Sequence, residues 1–181
     1  MSEQENKLRV KFHAQFFGVR KSVRYHTRRR QFFDRLGYIT NFLIIITGGG
    51  TVYGVSSESH HRLAIIFGSL AGLFSAIDLI IGCSNVARDH HDLARDFSEL
   101  ERQMVAAGDC PTEAQYIAFT NRRLEIEEEE PPKLCVLDVL CHNELVESGG
   151  YDEKHKRPIG RVQRFFAQFF DFGQIKKTKE A

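Results

Sequence analysis

Two long uncharged runs dominate the pattern of hydrophobic and polar positions along the chain. Leu36 to Val55 reads LGYITNFLIIITGGGTVYGV, 20 residues without a charge. Leu63 to Val86 reads LAIIFGSLAGLFSAIDLIIGCSNV, 24 residues whose only charge is Asp78. At 1.5 Å per residue, about 20 helical residues cross the roughly 30 Å hydrocarbon core of a bilayer. Two such runs, 36–55 and 63–86, joined by the short segment 56–62, predict a transmembrane helical hairpin. A soluble helix carries a polar face, and Leu63–Ile77 has no charge on any face. The alternative is the buried hairpin of a soluble all-α bundle.

The pattern beyond the hairpin is helical too. Val86, Leu93, Phe97, Leu100 and Met104 recur at steps of 7, 4, 3 and 4, one apolar stripe, with Asp89, Asp92, Asp96, Glu99 and Glu101 largely off it. This predicts a helix over 87–108 that continues the second span and stops before Asp109-Cys110-Pro111. Thr112-Glu113-Ala114-Gln115 has the form of a capping box and opens an acidic helix over 111–130. Pro131-Pro132 breaks it. A short amphipathic helix over 133–148 ends at Gly149-Gly150, and a polar loop follows. The segment 158–177 is rich in Phe. Phe165, Phe166, Phe169 and Phe170 share a face, while Arg161, Arg164 and Gln168 are polar, which suits a helix lying at a membrane interface or one packed on a core. AQFF occurs at both 14–17 and 167–170, so both copies are candidate interfacial segments. The expected fold is all-α: basic helices over 1–35, the hairpin, a helical extension, and packed terminal helices, in a single domain over 1–181.

Charge sharpens this picture. The net charge of +1 conceals strong segregation: +7 over residues 1–35, −1 over 36–87, −7 over 88–130 and +2 over 131–181. Arg20, Lys21, Arg24, Arg28, Arg29, Arg30 and Arg35 all precede the first run, and the connection between runs holds only Arg62. The positive-inside bias then places both termini in the cytoplasm. The first 35 residues are too long and too charged for the leading region of a signal peptide. The stretch RKSVRYHTRRR admits three readings: contact with anionic lipid, an RNA-binding arm, or pairing with the acidic segment. With 42% hydrophobic and 27% charged residues, global disorder is excluded. The four Cys form no short-spaced pair, so neither a disulfide framework nor a zinc module is implied.

Within the spans, Asp78 is the sharpest candidate. A carboxylate in hydrocarbon costs about 2.5–3.5 kcal/mol on insertion scales and faces protein or water. Counted from the cytoplasmic ends, Asp78 falls between Asn41 and Thr47 in depth. It either bonds to one of them within a hairpin or lines a polar path between copies, since two helices enclose no pore. Gly68, Gly72, Ser75, Asp78 and Gly82 share a helix face that allows close approach. Gly48-Gly49-Gly50 lacks the remainder of a phosphate loop and reads as a hinge or packing point.

Catalytic signatures are lacking. Asp89-His90-His91-Asp92 holds metal-capable groups, but sequence neighbours point to different helix sides. His60-His61 reads as solvated, and Cys135, Cys141 and His142 as packing residues. There is no nucleophile elbow, HExxH, dinucleotide fingerprint or kinase signature, so neither an enzyme nor a bound cofactor is expected. The run Glu127–Glu130 reads first as a solvated face.

The layout as a whole resembles the SLATT domain, the SMODS and SLOG-associating two-transmembrane effector family of prokaryotes. The resemblance rests on Tyr25 and Arg28-Arg29-Arg30 before the first span, the short loop and second span, and His91-Asp92-Leu93 with Phe97 and Leu100. It continues through RRLEIEEEEPP (122–132) and LDVLCHNELVESGG (137–150), with Cys141-His142-Asn143-Glu144. It implies a membrane effector of bacterial anti-phage defence, a pore-forming homo-oligomer of the inner membrane acting in abortive infection. The partner implied is a separate sensor: a nucleotide-signalling enzyme or a reverse transcriptase, with or without RNA. The alternative is a membrane scaffold that docks a cytoplasmic enzyme or nucleoprotein without a pore. The family supplies no catalytic residues, and the tail beyond 158 has no match in it.

Overall fold

The computed structural model describes residues 3–56 and 60–171. It is all-helical, without strands among the described residues. The elements are α1 (Glu3–Ser56), α2 (His61–Ile81), α3 (Cys83–Ala107), α4 (Glu113–Glu128), α5 (Cys135–Ser148), a 3-10 turn at Glu153–His155, and α6 (Arg161–Phe166). Residues 57–59 of the expected connection 56–62 and the tail beyond 171, including Phe172, fall outside the described residues.

Two differences from the expected layout have local causes. The basic arm and first apolar run form one continuous helix of 54 residues, not separate elements. No Pro lies between 3 and 56, and Gly48-Gly49-Gly50 stays helical because each neighbouring turn supplies its hydrogen bonds. Conversely, the helix expected to run from the second span to Gly108 is interrupted. Gly82 takes a left-handed conformation (φ 60°, ψ 45°) and donates its N–H to the Asp78 carbonyl. Its own carbonyl accepts from Asn85 and Val86, restarting the helix as α3. That backbone costs a residue with a Cβ about 1–2 kcal/mol, so the break falls at the glycine.

The chain divides into two compact units, Arg29–His90 and Met1–Arg28 with His91–Ala181. In the second of these, the α3 stripe is buried from Leu93 on, while Val86, its first member, is half-buried and belongs to the other unit. Leu93, Phe97, Leu100 and Met104 form a core with Phe12, Val19 and Ile126. A second cluster joins Tyr25, Val136, Leu137, Cys141 and Ala167. At the start of α4 the Thr112 side chain accepts from the Gln115 N–H, and the Gln115 side chain accepts from the Thr112 N–H. The capping box read from the sequence is thus present in full, satisfying two N–H groups that helix geometry leaves without partners.

Candidate functional site

In the unit Arg29–His90, α1 and α2 each hold a stretch long and apolar enough to cross a membrane. Many of their large side chains are exposed. Leu79 and Ile80 are each 84% exposed, Tyr38 75% and Ile45 73%. Three threonines here bond to the backbone of their own helix. Thr40 donates to the Leu36 carbonyl, Thr47 to Leu43 and Thr51 to Thr47, each about a turn back. Such a bond satisfies the hydroxyl within its own helix.

The two helices meet through glycines of α1: Gly50, at the end of the run read as a hinge or packing point, and Gly54, to which the sequence assigned no role. A Cβ on Gly54 would lie 2.6 Å from the Ala64 backbone nitrogen and 2.9 Å from its Cα. A Cβ on Gly50 would meet the Phe67 ring at 2.7 Å. Of the predicted packing residues, a Cβ on Gly68 would meet the Thr51 side chain at 3.6 Å, an ordinary contact. Gly72 faces open space, Ser75 is exposed, and Gly82 forms the helix break. Small residues are easy to find by their type, but which of them faces the partner helix depends on rotation about the axis.

Asp78 is half-buried and has no side-chain partner among the described residues. It bonds neither to Asn41, which is exposed, nor to Thr47, whose hydroxyl is engaged by Leu43 and Ile44. Arg30 pairs with Asp34 at 3.5 Å, and Arg29 lies over the rings of Phe32 and Phe33. Arg35 is exposed. His90 is buried and stacked on Phe33 at 6.1 Å. Among the described residues no cluster of three His, Cys, Asp or Glu is placed to hold a metal ion.

In the other unit, the basic arm is spent on the chain's own carboxylates. Arg20 pairs with Glu101 at 3.1 Å, Lys21 with Asp138 at 2.8 Å, and Arg28 with Glu144. Arg24 donates to the Ser148 hydroxyl at 2.7 Å. Only Glu101 of these acceptors belongs to the −7 segment; the others lie on α5. The acidic run is divided as well. Glu128 and Glu129 are exposed, and Glu127 pairs with Arg123 at 2.7 Å. Glu130 departs from the solvated reading, with a side chain only 7% exposed. It lies 2.6 Å from His26 Nε2 and 2.9 Å from Lys133 Nζ. Burial alone would raise the Glu130 carboxyl, but hydrogen bonds from His26 and Lys133 hold it below the ordinary carboxylate value. The His26 ring is fully buried and stacks on Phe97 at 5.7 Å. His26 was not singled out by sequence, and Glu130 was read only as part of the solvated run 127–130.

The Cys141-His142-Asn143-Glu144 segment divides its tasks. Cys141 is core, and burial pushes its thiol up to about 12. His142 Nε2 lies 3.0 Å from the His155 carbonyl, and burial lowers its basicity. Asn143 clasps Arg157 twice, donating to its carbonyl at 2.7 Å and accepting from its N–H at 2.8 Å. Glu144 holds Arg28. The first AQFF copy packs on the protein itself. Gln15 is buried, and Phe17 meets the rings of His142 at 5.2 Å and Tyr151 at 5.7 Å.

Compared with known protein families, curated proteins and solved structures, the chain matches none.

Proposed function

We propose that this chain is a two-span membrane protein with both termini on the cytoplasmic side, acting as the pore-forming or membrane-disrupting effector of a bacterial defence system. The observation that carries the membrane part is the outward display of apolar side chains on both long helices. A monomer in water rarely exposes more than a few hundred Å² of contiguous apolar surface. Lipid, or lipid and further copies, is the solvent that such a surface fits.

The half-buried Asp78 without a partner supports assembly. In hydrocarbon such a carboxylate needs a donor or water, and neighbouring copies provide either. Residues 20–28 bear on the scaffold reading. Their charges are held by Glu101, Asp138 and Glu144, leaving less of the arm to dock an enzyme or RNA. The defence role and the separate sensor rest on the resemblance to the SLATT family.

Two measurements test this reading. Protein expressed alone should stay in the membrane pellet through an alkaline-carbonate wash, and release of folded protein would end it. Co-expression with a triggering sensor should depolarise cells; unchanged ion flux after triggering would retire the pore in favour of the scaffold.

A further inference from the structure

We propose that the segment 161–170 is a membrane-surface anchor, resting on anionic lipid headgroups through its Phe face and its two arginines. The inference builds on the membrane reading above.

The segment is packed the opposite way round from a soluble surface helix. Its inward residue is small: Ala167 is buried in the cluster with Tyr25, Val136 and Leu137. Its large apolar residues point out. Phe165 is 76% exposed and Val162 67%, with Phe166, Phe169 and Phe170 also exposed. Positions 162, 165 and 166 fall on one side of α6 at about 100° per residue, and Phe169 in the following turn is exposed as well. A helix stabilised by its own core would bury these rings and expose the alanine. Arg161 and Arg164 are exposed and make no ion pair among the described residues, whereas Arg20, Lys21 and Arg28 are all paired. An aromatic face flanked by cations without protein partners matches the boundary of an anionic bilayer, where rings enter the acyl edge and guanidinium groups meet phosphates.

The mount is firm. Ala167 sits in the cluster, and the Cys135 N–H donates to the Asp171 carboxylate at 3.3 Å. Gly160 donates its N–H to Gln163 at 3.0 Å, capping the start of α6. The face is therefore held in place on the folded unit.

The chain has no Trp, so one introduced indole reports alone. Full-length Phe165→Trp, with Phe169→Trp as a second reporter and Ile117→Trp on α4 as a control, is reconstituted into phosphatidylcholine vesicles with and without phosphatidylglycerol. Flotation first establishes that the protein stays with the vesicles, which decides the membrane reading separately. In floating protein, the emission at 165 and 169 should shift to the blue of that at 117. Lipids brominated near the headgroup should quench it more than lipids brominated deep in the chain. Arg161→Glu with Arg164→Glu should reduce that quenching in vesicles with phosphatidylglycerol. Water-like emission without quenching would overturn the anchor. So would blue-shifted emission that bromine does not quench, which means protein covers the face, and so would stronger quenching by the deep bromines.

Discussion

The fully buried imidazole of His26 lies 2.6 Å from the carboxylate of Glu130, 104 residues further along the chain. Because an ionised Glu130 only accepts, Nε2 is the donor of this bond. Lys133 supplies a second donor to the same carboxylate oxygen and reaches the Ser22 hydroxyl at 3.3 Å. The pair thereby ties the middle of α1 to the connection between α4 and α5.

This pair predicts an acid dependence of stability. Glu130 is held below its unfolded value, so its contribution is complete above the unfolded pKa and is lost as pH falls through the folded one. The window lies on the acid side of about pH 4.3, the ordinary glutamate value. Glu130→Gln should flatten the loss of melting temperature across that window. Glu130→Ala should cost about 1–3 kcal/mol, the range for leaving the buried His26 donor without its partner. Thermal unfolding of both variants against pH checks this; parallel wild-type and Glu130→Gln profiles would sink it.

The hairpin should be sensitive at Gly54 and indifferent at Gly72. At Gly54 an added methyl meets the Ala64 backbone, which has no rotamer to change. Gly54→Ala should cost about 1–3 kcal/mol, the range for overpacking. Gly50→Ala should cost less, because the Phe67 ring can turn aside. Gly72→Ala meets no atom within 4 Å in one copy. Unfolding in detergent micelles gives the order of the three variants. A Gly72 variant that lowers oligomer size while leaving the hairpin intact would place that glycine between copies.

Asn143 should control the loop it clasps. Asn143→Ala removes both bonds to the Arg157 backbone, so Lys154 and Lys156 should become faster trypsin sites. The variant should lose about 0.5–1.5 kcal/mol, the net worth of a hydrogen bond whose backbone groups can turn to water. Equal digestion rates for wild type and variant would contradict the clasp.

The thiols should separate cleanly. Cys110 is exposed, whereas Cys141 is buried and its thiol is pushed up to about 12. At pH 7–8 a maleimide should label Cys110 quickly and reach Cys141 only on unfolding, since the thiolate is the reacting form. Peptide mapping by mass spectrometry reads this directly.

Asp78→Leu should change ion flux after triggering if the carboxylate lines the path, while the protein stays in the membrane. Asp78→Asn, which keeps polarity without charge, separates a charge effect from a hydrogen-bonding one. Unchanged flux in both would remove Asp78 from the path.

Local features read well from the sequence. The stripe of Leu93, Phe97, Leu100 and Met104 is buried because period and apolarity together determine which face of a helix leaves water. The Thr112–Gln115 box is closed because its four residues meet only one another. The two apolar runs were legible because their composition is indifferent to rotation. The long-range partners were not: His26–Glu130, Lys21–Asp138 and Gly54–Ala64 depend on how separate helices are rotated and placed. The break at Gly82 escaped notice because an isolated glycine is also tolerated inside a helix.

By itself, then, the chain's residue order determined the helices, their apolar faces and the segregation of charge, all properties of neighbours within a few turns. Tertiary structure decided which basic residues meet which carboxylates, which of several glycines lets two backbones touch, and that one AQFF faces the core while the other's rings face out. Those outcomes follow from packing between elements far apart in sequence, where a rotation of one helix by a single residue, about 100°, exchanges a buried side chain for an exposed one.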